Sequence, residues 1–167
     1  MKLKEAGKAK AIGVSNFNIE QLERIIKETG VVPAVNQVES HPYLPQKELI
    51  EYCKKKGIVI TAYSPLGTPD RPGAETSKDP VLMNDPVLPG IAKKYNKSIA
   101  QVLIKFHLQR GLSVIPKSVT PARILQNIQV LDFELSPEDL ETLQSLKTFV
   151  RYCAVADTAS HPYYPFK

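Results

Sequence analysis

Short apolar runs mark the chain at residues 11–14, 34–39, 58–64 and 112–115, with apolar residues three and four apart in the segments between them. The runs predict strands and the spaced segments predict amphipathic helices. Residues 1–10 are charged and read as the end of a helix. The first run leads into Ser15-Asn16-Phe17. Asn18, with Gln21 three residues on, resembles a capping box for a helix that carries Leu22, Ile25 and Ile26 and stops at Gly30. Pro33 opens the second run, whose Asn36 and Gln37 are polar, either exposed at an edge or hydrogen-bonding into a pocket. A rigid loop, His41-Pro42-Tyr43-Leu44-Pro45, precedes a helix patterned by Leu49, Ile50, Tyr52 and Cys53 that ends at Gly57. Residues 58–64 are the clearest strand, ended by Pro65-Leu66-Gly67. The irregular stretch over residues 68–84 is long enough to have a job or to be disordered.

Asp85-Pro86 is expected to cap a helix with Val87, Ile91 and Ala92. Ser98 and Gln101 form a second capping box ahead of Val102, Leu103, Phe106 and Leu108, and Gly111 closes that helix. Ser136-Pro137-Glu138-Asp139 opens a last helix with Leu140, Leu143 and Leu146. The tail, residues 148–167, has aromatic and proline residues without clear periodicity. Strands begin near residues 10, 34, 58 and 112, so the first two intervals hold one strand and one helix each. The third has room for an extra loop and an extra helix. Apolar strands alternating with amphipathic helices indicate a parallel sheet covered by helices, an α/β fold. In such folds ligands bind beyond the carboxyl ends of the strands. Those ends here carry Ser15-Asn16, Gln37-Val38-Glu39, Tyr63-Ser64 and Lys117-Ser118.

The last of these ends has the most pointed chemistry. Pro116 stops the strand at 112–115, because proline cannot donate to a ladder. Thr120-Pro121 reads as an N-cap and first helical position, which puts Arg123 in the first helical turn. A helix start favours anions, and Lys117, Ser118 and Arg123 around it make a monophosphate pocket. The alternative is an ordinary strand–loop–helix connection with solvated basic residues.

Composition narrows the classes. The chain has 167 residues, is 43% hydrophobic and carries 22 basic against 17 acidic residues, a net charge of +5 that suits a small anionic ligand. The basic residues are dispersed and no aromatic stacking platform appears, which argues against nucleic acid. No apolar run reaches membrane-spanning length, and no leader is expected before residue 1. Two cysteines make no disulfide framework, so a reducing, cytoplasmic setting is the default. Cys53 reads as core, and Cys153 in the tail is left open as a possible thiol site. Three histidines far apart give no metal-ligand spacing.

The segments Ile12-Gly13-Val14-Ser15-Asn16-Phe17 and Ile115-Pro116-Lys117-Ser118 resemble signatures of the aldo-keto reductase family. Asn36-Gln37-Val38-Glu39, His41-Pro42-Tyr43 and Thr61-Ala62-Tyr63-Ser64-Pro65-Leu66-Gly67 support the resemblance in the right order. It spans essentially the whole sequence and implies the second half of a (β/α)8 barrel that uses NADP(H): about four parallel strands with helices, extra helices and a tail, as one partial domain over residues 1–167. It also implies that Ser15, Asn16 and Gln37 hydrogen-bond the nicotinamide carboxamide and that Tyr63 stacks on the ring. Ser64, Leu66 and Thr68 would line the pyrophosphate, with Asp70 in a belt formed by residues 68–84. Lys117, Ser118, Val119 through its backbone, and Arg123 would hold the adenosine 2′-phosphate. Gln126, where relatives commonly have glutamate, and Asn127 would face the adenine. The tail would help set substrate choice.

The family's reaction needs a tyrosine acid, a lysine, an aspartate and a carbonyl-orienting histidine, all in the half this chain lacks. Tyr43, Tyr63, Tyr95 and His41 stand outside the matching motif, so no catalytic residue is assigned and little carbonyl reduction is expected from the chain alone. His41 reads as loop packing. Half a barrel leaves two sheet edges open, which would be met by self-association, by a partner supplying the first half, or by nothing in a truncated product. The expected ligands are NADPH and a small carbonyl compound. The competing expectations are a non-catalytic NADP(H)-binding or protein-interaction half-barrel and an inert fragment.

Overall fold

Among the described residues, four strands, β1 (Val14–Ser15), β2 (Val35–Glu39), β3 (Val59–Tyr63) and β4 (Ser113–Val114), form one sheet in the order β1-β2-β3-β4. The computed structural model describes residues 1–74 and 76–166; Glu75 and Lys167, which fall in the expected loop and tail, lie outside the described residues. β1 and β2 pair in parallel, with Val14 opposite Asn36 and Ser15 opposite Gln37. Among the described residues, seven helices accompany the strands: α1 (Lys2–Glu5), α2 (Ile19–Thr29), α3 (Lys47–Lys56), α4 (Leu88–Lys94), α5 (Ile99–Gln109), α6 (Pro121–Ile128) and α7 (Pro137–Gln144). Spatial strand order follows chain order, with helices between consecutive strands, which is the βα repeat of a parallel α/β sheet.

Contacts group the chain into two compact units. The first comprises Met1–Val38, Gln46–Thr61 and Cys153–Lys167, and the second comprises Glu39–Pro45 and Ala62–Tyr152.

In the first unit the capping box forms as expected: Asn18 Oδ1 accepts from Gln21 N–H at 2.9 Å and Gln21 Oε1 from Asn18 N–H at 3.1 Å. α2 ends at Gly30 in the left-handed region. Leu22, Cys53, Ile58 and Ile60 are core residues. Burial pushes the Cys53 thiol up to about 11, so this cysteine is inert at neutral pH. Gly13 lets β1 approach its neighbour closely, since a Cβ there would sit 2.8 Å from the carbonyl oxygen of Val35. The tail returns to α2, where Gln21 Nε2 donates to the Tyr163 carbonyl at 2.8 Å.

In the second unit α5 is the central element, packing against α4, β4 and α6. Val102, Leu103, Ile104 and Phe106 are buried, and Ser98 with Gln101 forms the expected box. Gln109 brackets Leu135, donating to its carbonyl at 3.0 Å and accepting from its N–H at 2.7 Å. α7 starts where expected, with Ser136 Oγ accepting from Asp139 N–H.

Three expectations change. Asp85 does not cap a helix: α4 begins at Leu88, and Asp85 instead accepts from Val87 N–H at 2.9 Å and from the Tyr43 hydroxyl at 2.7 Å. The stretch 68–84 ends in a 3₁₀ turn, Leu82–Asn84, anchored by the fully buried Leu82. β1 and β4 are only two residues long. Their pairing still extends further, from Ala34 N–H to Ile12 O at 2.9 Å and from Ile115 N–H to Ala62 O at 3.1 Å. Edge strands pair on one side only, which shortens the regular ladder while leaving the apolar run intact.

Candidate functional site

The residues singled out in the sequence lie at strand carboxyl ends in both units. In the first unit, Ser15 closes β1 and Gln37 lies within β2. Ser15 Oγ and Asn16 N–H each donate to the Gln37 carbonyl at 2.9 Å. Asn16 has φ 59°, a left-handed turn that asparagine tolerates better than most residues. Asn36 takes neither of the roles open to it from sequence. It is fully buried, donating through Nδ2 to the Phe17 carbonyl at 2.9 Å and accepting from Phe17 N–H at 3.4 Å. It thereby fixes the turn after β1, while Gln37 beside it is half-buried.

In the second unit, Tyr63 ends β3, and the chain turns sharply through Ser64 (φ 50°), Gly67 (φ 77°) and Thr68 (φ 45°). Leu66 is half-buried in this turn. Thr68 Oγ1 is buried without a hydrogen-bond partner among the described residues, a hydroxyl poised to donate to an acceptor oxygen. Asp70 follows, and its Oδ2 lies 2.5 Å from Lys117 Nζ. That hydrogen bond holds the Asp70 carboxyl below its ordinary range.

Lys117 stands three residues beyond β4, with its ammonium well exposed. Ser118 Oγ accepts from Thr120 N–H at 3.2 Å. Thr120 occupies the N-cap position of α6 and Pro121 the first helical position, as the sequence indicates, although the Thr120 side chain makes no cap hydrogen bond. Val119 and Arg123 are exposed in and beside the first turn of α6, and Gln126 and Asn127 lie further along it. Gln101 Nε2 steadies this helix through the carbonyls of Gln126 at 3.2 Å and Gln129 at 2.8 Å. Lys117, Ser118 and Arg123 thus stand within seven consecutive residues around the start of α6, an N-terminus that no side chain caps.

The supporting structure was not legible locally. Tyr152 N–H donates to buried Glu39 Oε1 at 2.7 Å, and His41 Nε2 pairs with the same oxygen at 2.8 Å. The Tyr152 hydroxyl reaches the Pro80 carbonyl at 2.7 Å, and the Arg71 guanidinium lies 4.7 Å over its ring. Arg71 in turn bonds Asp79 at 2.8 Å and Ser77 at 3.0 Å. The stretch after β3 is therefore held by a residue from the tail. Among the described residues, no cluster of His, Cys, Asp and Glu could hold a metal ion, and no helix is long and apolar enough to cross a membrane.

Comparison with known proteins gives a consistent result. The sequence profile described as "Aldo/keto reductase family" matches residues 1–148. Aldo-keto reductase family 1 member A1-A of Danio rerio is 49% identical over 99% of this chain and 53% of its own length. Prostaglandin-E(2) 9-reductase of Oryctolagus cuniculus is 47% identical over 99% of this chain and 52% of its own length. An aldo/keto reductase crystal structure from Brucella melitensis superposes with a TM-score of 0.75 at 45% identity, covering 86% of this chain and 51% of that one. The chain thus spans about half the length of the relatives it matches. A parallel βα sheet with polar strand ends, a matching profile over most of the chain and relatives near half identical place this chain in the aldo/keto reductase family.

Proposed function

We propose that this chain is the cofactor-holding part of an NADPH-dependent reductase of aldehydes and ketones. The observation that carries the reading is the position of Lys117, Ser118 and Arg123 within seven residues around the start of α6, which no side chain caps. Lys117 and Arg123 grip the 2′-phosphate, and Val119 N–H adds a neutral donor. Gln126 and Asn127 meet the adenine. Ser64, Leu66 and the Thr68 hydroxyl, which has no partner among the described residues, line the pyrophosphate, and Asp70 orders the adjoining belt through Lys117. Tyr63 stacks on the nicotinamide ring, whose carboxamide is met by Ser15, Asn16 and Gln37. When bound, NADPH supplies the hydride that reduces the carbonyl carbon. The proton that completes the alcohol is assigned to no residue of this chain, so turnover requires groups from another half-barrel. Residues of the tail, 151–166, contribute to substrate choice. Cysteine usage, with Cys53 buried in the core, suits a reducing compartment such as the cytoplasm.

Two charge-assisted contacts to the 2′-phosphate are worth about 3–6 kcal/mol together, on the order of a 10²- to 10⁴-fold preference for NADPH over NADH. The test is fluorescence titration of the chain and its Arg123→Ala variant with both cofactors. NADPH affinity is expected to fall by about 10-fold or more while NADH affinity is nearly unchanged, the loss of one such contact. Equal losses for both would refute the 2′-phosphate assignment. Cofactor binding without aldehyde-dependent oxidation by the pure chain would identify a binding module.

A further inference from the structure

We propose that Tyr152 is a positioning residue for the anion site at Lys117, acting through Arg71 and Asp70 to hold the lysine ammonium in place before a phosphate arrives. The proposal rests on the reading of Lys117 as a 2′-phosphate contact, and every residue it uses lies in the second unit.

The pair between Lys117 and Asp70 does not account for itself. Nζ and Oδ2 are 2.5 Å apart, yet the two side chains are 67% and 60% exposed. An ion pair this open stabilises little, because water and salt screen it and its side chains give up rotamer freedom to form it. The carboxylate must therefore be brought to the lysine by something firmer than the pair.

Arg71, the next residue, supplies that hold. Its guanidinium lies 4.7 Å over the Tyr152 ring and donates to Asp79 Oδ2 at 2.8 Å and to Ser77 Oγ at 3.0 Å. A cation on an aromatic face is attracted more strongly when the two are withdrawn from water, and the Arg71 side chain is only 14% exposed. Its N–H also donates to the Thr68 carbonyl at 3.1 Å, which closes a turn with Asp70 inside it. Fixing Arg71 thus fixes the backbone from which the Asp70 carboxylate projects.

Tyr152 can do this because it is itself held on three sides. Its N–H donates to Oε1 of fully buried Glu39 at 2.7 Å, and the same oxygen pairs with His41 Nε2 at 2.8 Å. Its ring lies 5.0 Å from the His41 ring. Its hydroxyl donates to the carbonyl of Pro80, the residue after Asp79. A continuous series of contacts and peptide bonds therefore runs from the end of β2 through Tyr152, Arg71 and Asp70 to the Lys117 ammonium.

A lysine on a mobile four-carbon stem loses rotamer freedom when it binds an anion. One already held loses less, and binding tightens by the difference. The Asp70 carboxylate takes one of the three ammonium N–H groups and leaves two for phosphoryl oxygens. Ordering one such side chain in advance corresponds to about 3- to 10-fold in affinity.

Two measurements on the full chain test this. The first follows the Asp70 carboxyl carbon by NMR through a pH titration without ligand. In the parent, the hydrogen bond from Lys117 holds that carboxyl below its ordinary range. Tyr152→Leu and, separately, Arg71→Gln should return it to that range, while Tyr152→Phe, which keeps the ring under Arg71, should leave it low. Arg71→Gln leaves the buried ring in place and carries the test if the leucine variant fails to fold. The second is calorimetric titration with adenosine 2′,5′-bisphosphate and adenosine 5′-monophosphate. Tyr152→Leu and Arg71→Gln should lose about 3- to 10-fold in affinity for the bisphosphate and nothing for the monophosphate. An Asp70 titration that is the same in the parent and Arg71→Gln overturns the proposal, as does one as high in Tyr152→Phe as in Tyr152→Leu, or an equal loss for both nucleotides. A parent that binds the two nucleotides equally would instead remove the phosphate reading of Lys117, and the ligand-free titration would still decide whether Tyr152 places Asp70.

Discussion

Replacing His107 with leucine should remove a pH dependence from the stability of the second unit. His107 lies in α5 with no exposed surface, its ring 5.1 Å from that of Phe106. Neither ring nitrogen has a hydrogen-bond partner among the described residues. Burial, then the Arg110 charge and His41, hold its pKa well below the ordinary 6.5. The unfolded chain takes up a proton near pH 6.5 and the folded chain does not, so the unfolded state binds more protons below that pH. Folding stability is therefore whole above pH 6.5 and falls with acidification, by about 1.4 kcal/mol per pH unit. At pH 5 the loss reaches about 2 kcal/mol. Leucine cannot titrate, and the only polar interaction it gives up among the described residues is a weak approach of the ring to the Ser40 backbone. Urea denaturation of both proteins at pH 7.5, 6.5, 5.5 and 5.0 reads the effect. Every other titrating group is shared, so the difference between the two curves isolates His107. The variant should match or exceed the parent at pH 7.5, and its advantage should grow by about 2 kcal/mol by pH 5. Parallel curves would refute the reasoning.

Two further substitutions probe the turns that position the candidate site. Gly67→Ala places a Cβ at φ 77° and 2.8 Å from Leu82 Cβ, so thermal unfolding should show a loss of about 1–3 kcal/mol; an unchanged midpoint would mean that the turn is not packed as described. Asn36→Ala strands the backbone groups of Phe17 and should cost about 1–3 kcal/mol in denaturant titrations, with faster hydrogen exchange at the Phe17 amide; unchanged protection there would count against the buried tie.

What could be read from sequence follows how local each signal is. The starts of α2, α5 and α7 are set by side chains within three residues of the N-cap, so Asn18, Ser98 and Ser136 announced them. Asp85 carried the same local signal and lost it, because its carboxylate is taken by Tyr43, 42 residues earlier in the chain. Thr120-Pro121 gave the start of α6 correctly but carried no information about the helix's burial, which depends on what lies opposite. Lys117, Ser118 and Arg123 were legible as a group because seven consecutive residues place them around one helix start. Glu39, His41 and Tyr152 meet across more than a hundred residues, a distance at which no periodicity speaks.

Tyr152 has a consequence for how the segment after β3 can vary. Its hydroxyl holds Pro80, its ring carries Arg71, and its edge is 3.1 Å from where a Cβ on Gly67 would lie. A single aromatic ring thus serves as the common floor for a segment that begins 85 positions before it. Whatever displaces that ring unfastens both ends of the segment together, so changes in one stretch are tolerated only when the other is rebuilt to match.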